Sequence, residues 1–378
     1  MSAGQAGSSS SDNGGSSSSG SGSSSNGWRR EREAAEAAVL AAARLTKGVL
    51  RSVSAVAKQD ASPVTVADFA AQALLVHALR AAFPGDAFVG EEDSGLLRRD
   101  AALRRGVHEL FSSAVSPPGV SVDEMLGLVD AGGRGGGGPE GRFWVMDPVD
   151  GTAAFLRGEQ YAVSLALVQD GREVVGVLAC PNLKLDGDGR VSESSVDTHG
   201  LGIMLSAVRG HGVNLFTMPS SSDVSPAPVP RPLPRLEPPP SLGRVHVVDC
   251  HLNPPSSRAA LQKLAARLGA PFPGTDVWSS HVRYAALVVG GGHTLVRIPA
   301  ASRGKSCIWD HAGAQLIYAE VGGKATDLDG RAIDFGAGRY LSRNRGLVVA
   351  HADIHERILS LAQEVTREQE PDGSGQGH

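Results

Sequence analysis

The sequence predicts a layered α/β (α+β) fold, and three observations predict it. Helical and strand-like segments alternate on both sides of a proline-rich stretch, the pattern of helices packed on sheets. The 378 residues are 41% hydrophobic and 20% charged, a globular balance with room for two domains or one large one. No internal repeat interrupts the alternation.

Taken in order, residues 1–27 hold 13 Ser and 7 Gly and cannot bury a core. They read as a disordered tail or as a Ser-rich, acid-poor transit segment, although the first Arg comes only at Arg29. A tail leaves the protein in the cytoplasm; a transit segment sends it to a chloroplast or mitochondrion. Glu31 to Val49 is Ala-rich with helical spacing of its apolar residues. A second helix is expected from about Val66 to Ala82, with Phe69, Ala73, Val76 and Leu79 on one face and Pro84-Gly85 as its stop. Ala87–Gly90 is a short strand entering Glu91-Glu92-Asp93. The glycine tract 132–138 reads as a surface loop. Phe143–Met146, Ala162–Gln169 and Glu173–Ala179 are strands, the last two joined by a turn at Asp170-Gly171.

Residues 219–240 carry nine prolines and no apolar period, so they read as a linker or surface loop. Beyond them come a strand at Val245–Val248, a helix at Ser257–Leu268, strands at Tyr284–Val289 and Thr294–Ile298, and a helix from about His311 to Val321 closed by Gly322-Gly323. The implied organisation is a 1–27 tail, a 28–218 α+β domain, a 219–240 linker, a 241–366 α/β domain and a 367–378 tail.

Composition excludes several classes. A net charge of −4 carries no polybasic signature, so a nucleic-acid polymer is not an expected partner. No apolar run reaches the ~18 residues of a membrane span. Cys180, Cys250 and Cys307 are odd in number and far apart, with neither a disulfide framework nor a zinc pattern, and read as buried reduced thiols.

The most informative segment is Arg142-Phe-Trp-Val-Met-Asp-Pro-Val-Asp-Gly-Thr152. An apolar run ending in Asp-Pro reads as a strand delivering its last residue into a turn. Asp147 and Asp150, three apart on that turn, can share hard cations such as Mg²⁺. Gly151 and Thr152 then offer backbone N–H groups where a helix starts, an anion site. A plain structural reading exists too: Asp, Pro and Gly are turn residues, and Thr152 is a fair N-cap. Asp68 and Asp310 stand at predicted helix starts and read equally as N-caps. Glu91-Glu92-Asp93 reads equally as a solvated turn.

The order of these motifs resembles the inositol monophosphatase superfamily of Mg²⁺-dependent, lithium-sensitive phosphatases. The residues that carry the resemblance are Ser62-Pro-Val-Thr…Asp68, Gly90-Glu91-Glu92, Asp147-Pro-Val-Asp-Gly-Thr152 and Trp309-Asp310-His-Ala. Lys58-x-Asp60-x-Ser-Pro-Val-Thr, Gly141-Arg-Phe-Trp, Phe155-Leu-Arg-Gly-Glu-Gln-Tyr-Ala-Val, Cys180-Pro-Asn-Leu, Ala207-Val-Arg-Gly and Ile308-Trp-Asp-His sharpen it to the 3′(2′),5′-bisphosphate nucleotidases. It spans about residues 35–215 and 241–360.

The resemblance implies the layered, alternating α/β sandwich of the sugar phosphatases, two to three Mg²⁺ ions, and a small nucleotide bisphosphate as substrate of a monomer. It implies that Glu91, Asp147 and the Val149 carbonyl hold one cation, and that Asp147, Asp150 and Asp310 hold a second. Asp68, with Glu91, would help hold a third and, with Thr152, orient the attacking water. Gly151 and Thr152 N–H groups would bind the phosphate. Ser280, Arg283 and Arg297 match the family's nucleotide-binding positions, with exposed strand charges as the plain alternative for the two arginines. His251 matches a histidine near the adenine.

Two departures fall outside the acid set. Ala153-Ala154 replace the usual Lys-Gly, and Ser302-Arg-Gly-Lys-Ser-Cys307 replaces a Tyr-x-Glu-Lys loop. The expected activity is removal of the 3′-phosphate of adenosine 3′,5′-bisphosphate, and of the sulfated nucleotide PAPS, leaving AMP or APS and phosphate. The alternatives are an inositol (poly)phosphate 1-phosphatase and a catalytically weak nucleotide-binding sensor.

Overall fold

The computed structural model describes residues 1, 27–53, 62–116, 119–185, 190–219, 229–251, 257–299 and 306–368. Most of the Ser/Gly-rich tail, the 369–378 end, Lys58, Asp60 and the core of the 302–307 loop lie outside the described residues.

The chain opens with α1 (Arg29–Val53) and α2 (Ser62–Ala82), then β1 (Ala87–Gly90), α3 (Gly95–Arg99), α4 (Ala101–Ala114) and α5 (Val122–Gly133). Next come β2 (Arg142–Asp150), α6 (Thr152–Leu156), β3 (Ala162–Gln169), β4 (Arg172–Cys180), β5 (Ile203–Val208), β6 (Val213–Thr217) and β7 (Arg231–Pro232). The remainder is β8 (Val248–Asp249), α7 (Arg258–Leu268), β9 (Thr275–Asp276), α8 (Ser280–Val288), β10 (Thr294–Arg297), α9 (Ala314–Glu320), β11 (Gly323–Thr326), β12 (Leu347–His351) and α10 (Ala352–Arg367).

Strands β1 to β7 form one sheet in sequence order, parallel at β1–β2 and antiparallel from there on. A second sheet has the order β10-β12-β11, and β8 pairs with β9 in a short third. Alternation along the strands assigns the layers. Trp144, Met146, Leu165 and Leu167 face a core shared with α1, α2, α4 and α5. Phe143, Val145, Ala166 and Val168 face the opposite core, shared with α8, α9 and Leu295, Leu347 and Val349 of the small sheet. Val296, Val348 and Ala350 point away from that core, into a third one built with α7 and α10. The result is an αβαβα sandwich, which is the layered fold class expected. Because both faces of the main sheet are covered, its strands read as near-continuous apolar runs.

Tyr284–Val289, expected as a strand, is instead the end of helix α8, with Val289 as its C-cap. Every residue of α8 is buried between the two sheets, so no polar face marks a helical period. Val245–Val248 yields only the two-residue β8, preceded by a 3₁₀ turn at Leu242–Arg244. The glycine tract begins inside α5, and Gly132 is buried there; it is no simple surface loop. Arg231–Pro232 of the proline-rich stretch pairs with the β6 edge, and Leu233 and Leu236 pack on the second core. A proline lacks an N–H, so an edge strand is where the sheet tolerates it.

Candidate active site

The parallel pairing of β1 with β2 brings their C-terminal ends to one edge, with Gly90 opposite Met146. Glu91 therefore follows β1 beside the point where Asp147 follows Met146. On its other side β2 pairs Asp147 with Ser164 and Asp150 with Ala162, so a bulge falls between the two acids. Pro148 stands in that bulge, where its missing N–H costs no ladder bond. The expected turn is thus a bulged strand end. Gly151 then takes a left-handed φ of 93° to enter α6 at Thr152. A Cβ at Gly151 would stand 2.9 Å from the Ser279 Cβ, so both backbone and space call for glycine. The Thr152 hydroxyl donates to the Val149 carbonyl at 3.3 Å, which keeps both in one turn.

Asp68 is not an N-cap. It lies inside α2, buried, on the helix layer beneath the sheet edge. One turn later, the buried Gln72 amide holds the backbone of Glu92: Nε2 donates to the Glu92 carbonyl at 2.5 Å, and Glu92 N–H donates to Oε1 at 3.0 Å. Asp310 likewise precedes its helix rather than capping it, in a turn that leads to the α9 N-cap, Gly313.

Helix α8 ties the remaining acids together. Its N-cap Ser279 donates its hydroxyl to Asp150 Oδ2 at 2.5 Å, and the His281 N–H donates to the same oxygen at 2.7 Å. The His281 ring reaches the Trp309 carbonyl at 2.7 Å; a carbonyl only accepts, so Nε2 carries the proton.

These acids feel one another. Burial first, then repulsion from Glu91, Asp150, Asp310 and Asp68, holds the Asp147 carboxyl well above the usual range. Burial, then Glu92 and Glu91, does the same to Asp68. Glu91 still presents surface to solvent, but the lost solvation and its neighbours Glu92, Asp310 and Asp150 push it up to about 8, against a pull from Arg339. Burial also raises Asp310, against the attraction of Arg297.

Among the described residues, no three His, Cys, Asp or Glu side chains are gathered into a closed metal cage. The donor set nonetheless fits cations: Asp147 Oδ1 is buried with no hydrogen-bond partner among the described residues, and the donors are all hard oxygens, suited to Mg²⁺. The 510 Å³ groove between α1 and α4, lined by Ala41, Leu45, Val49 and Leu110, contains none of these acids.

Beside the acids lies a pair of arginines, and Nη1 of Arg283 donates to the Val277 and Trp278 carbonyls at 2.9 and 3.1 Å. Ser280 Oγ accepts from Arg283 at 2.9 Å and from Arg297 at 3.1 Å. The plain alternative, exposed strand charges, does not hold. Arg283 is on a helix and only 2% exposed, and burial and Arg283 together lower Arg297. Both Nε atoms are buried without a partner among the described residues. His251 stands apart from this pair, at the end of β8, where its N–H donates to Asp276 Oδ1 at 2.6 Å.

Residues 28–367 match the inositol monophosphatase family. The chain belongs to that family. Among its relatives, a 3′(2′),5′-bisphosphate nucleotidase of Schizosaccharomyces pombe is 34% identical over 362 residues, covering 89% of this chain and 96% of that protein. One from Emericella nidulans is 34% identical over 357 residues, covering 89% and 98%. One from Oryza sativa is 33% identical over 354 residues, covering 90% and 95%. The fold resembles inositol monophosphatase-II of Staphylococcus aureus, with a TM-score of 0.54 at 16% identity over 89% of this chain and 94% of that one. It also resembles the Anabaena enzyme, at 0.54 and 17% over 89% and 96%.

Within this family member, several site residues escaped the sequence. Gln72 carried a faint signal, a lone amide in the apolar run Phe69–Val76. Ser279, His281 and Arg339 carried none, because their partners lie 28 to 249 residues away.

Proposed function

We propose that this chain is a Mg²⁺-dependent phosphomonoesterase that converts adenosine 3′,5′-bisphosphate to AMP and phosphate, and PAPS to APS. The observation that carries the reading is adjacency. Ser279 holds Asp150 of the acid cluster, and the next residue, Ser280, holds the Arg283 and Arg297 pair. A substrate with two phosphates matches an acid site for cations beside a guanidinium site for the second anion. The nucleotidase names of the relatives support that substrate class.

The family is metal-dependent. In the proposed assignment, Glu91, Asp147 and the Val149 carbonyl would hold one ion, Asp147, Asp150 and Asp310 would hold a second, and Asp68 with Glu91 would help hold a third. Bound Mg²⁺ would stabilise charge on the attacking and leaving oxygens and acidify water. Asp68 and Thr152 orient the water, whose oxygen bonds to phosphorus as the bond to O3′ breaks and O3′ takes up a proton. The N–H groups of Gly151 and Thr152 bind the transferred phosphate. Arg283, Arg297 and Ser280 grip the phosphate that is not cleaved, since a guanidinium fork suits a phosphate. His251 lines the base end.

Phosphate release from adenosine 3′,5′-bisphosphate, compared with inositol 1,4-bisphosphate and inositol monophosphate at saturating Mg²⁺, tests the reading. A clear preference for the nucleotide is expected. Preference for an inositol phosphate makes the chain an inositol phosphatase, and nucleotide binding without turnover makes it a sensor.

A further inference from the structure

Resting on the phosphatase reading above, we propose that Arg339 is a positioning residue of the active site, setting the Glu91 strand end against the Asp310 turn. Arg339 lies in the loop before β12, far in sequence from either acid, and touches the framework of both.

On the Glu91 side, one terminal nitrogen donates to the Gly90 carbonyl at 2.7 Å, one residue before Glu91. The other donates to the Gly132 and Gly135 carbonyls at 3.1 Å each, at the end of α5. Gln72 holds Glu92 one residue after Glu91. Glu91 is therefore pinned through the backbone on both sides, while no hydrogen bond engages its own carboxylate among the described residues.

On the Asp310 side, the guanidinium carbon stands 4.7 Å from the centre of the Trp309 ring, and Trp309 directly precedes Asp310. The Arg339 carbonyl accepts from the Ile308 N–H at 3.1 Å, and Tyr340 pairs with Cys307 in an antiparallel bridge. Both the backbone and the side chain of Arg339 thus bind the turn that carries Asp310.

The chemistry requires arginine. A planar fork reaches three carbonyls in fixed directions and still lays its face on an indole; an ammonium has neither the spread nor the plane. Among the described residues Arg339 has no carboxylate within ion-pair distance, so its donors go to main-chain oxygens. Groups that orient metal ligands cost about 10- to 100-fold in metal affinity when removed.

The test is calorimetric titration of the full chain with Mg²⁺ and Mn²⁺, without substrate, in Arg339→Ala and Arg339→Lys. About tenfold or greater loss of cation affinity is expected in both. Turnover should fall at limiting Mg²⁺, and KM for adenosine 3′,5′-bisphosphate at saturating Mg²⁺ should move less than about twofold. If Arg339 were only a counter-charge, Arg339→Ala would bind cations as tightly or more tightly, and Arg339→Lys would match the wild type. Either result overturns the proposal. Should Arg339→Ala fail to fold, Arg339→Lys decides, since it keeps charge and bulk. A wild-type chain that binds cations but hydrolyses no nucleotide refutes the phosphatase reading alone, because the titration still reports on Arg339.

Discussion

The His281 N–H donates to Asp150 Oδ2 at 2.7 Å, in the first turn of the helix that carries Arg283. One short helix thus holds Asp150 of the acid cluster and, one turn on, carries Arg283, which donates to Ser280. The two halves of the site cannot drift apart without breaking that turn.

Ser279 tests this coupling. Its hydroxyl donates to Asp150 and accepts the Val282 N–H as a helix cap. Ser279→Ala should cost about 1 kcal/mol of stability through the lost cap. It should also lower kcat well beyond that small loss, because Asp150 loses a partner. Ser279→Thr should recover most of both. A variant with a lowered melting temperature but unchanged kcat would leave Ser279 as a cap alone.

Asp147→Asn should abolish turnover and leave the fold intact. Asp147 is buried among like charges, and burial and repulsion already raise its carboxyl. Neutralising it should therefore leave the metal-free melting temperature unchanged or higher, while Mg²⁺ binding collapses. Near-normal turnover at saturating Mg²⁺ would remove Asp147 from the cation site.

Stability should depend on pH and Mg²⁺ together. Asp68, Glu91 and Asp147 are raised in the folded chain, Glu91 to about 8. Between the unfolded value near ~4 and those raised values, the folded state binds more protons, so metal-free stability falls as pH rises. The buried His311 is lowered and works in the opposite direction, so the useful quantity is the difference made by metal. The rise in melting temperature on adding Mg²⁺ should widen from pH 6 to pH 8. A gap constant over that range would mean that these acids do not hold the ion.

Arg297→Lys and Arg283→Lys should raise KM for adenosine 3′,5′-bisphosphate about ten- to a hundredfold, with a smaller change in kcat. A charge-assisted bond to a non-reacting phosphate, roughly 1.5–3 kcal/mol, is made equally in ground and transition states. Lysine keeps the charge in these buried places and loses the fork. Hydrolysis of inositol monophosphate, which has no second phosphate, should barely change. Equal losses on both substrates would sink the nucleotide assignment.

Li⁺ and excess Ca²⁺ should inhibit turnover. Mg²⁺ demands close octahedral geometry, and an ion of another size or charge in a loosely held position leaves the attacking water misplaced. Rates indifferent to both ions would argue against a shared-cation mechanism in this chain.

The local signals were legible where local chemistry decides structure. Ala162–Gln169 forms β3 with the expected limits, Ser257 caps α7 and Asp170-Gly171 turns the hairpin, because apolar runs, caps and turn residues act over a few positions. Asp68, Glu91, Asp147, Asp150 and Asp310 were readable as one set only through the resemblance of their motifs to the inositol monophosphatase family, because singly Asp68 and Asp310 read equally as caps and the others as turn residues. Tertiary structure alone decided the rest. It made α8 a helix, since total burial erases the amphipathic period. It brought Arg283 and Arg297 onto Ser280, and it set Gln72, His281 and Arg339 around the acids. The Arg283–Ser280 contact spans a single turn of α8, but the others join residues 17 to 249 positions apart, and only the packing of two sheets against shared helices brings those within hydrogen-bond reach.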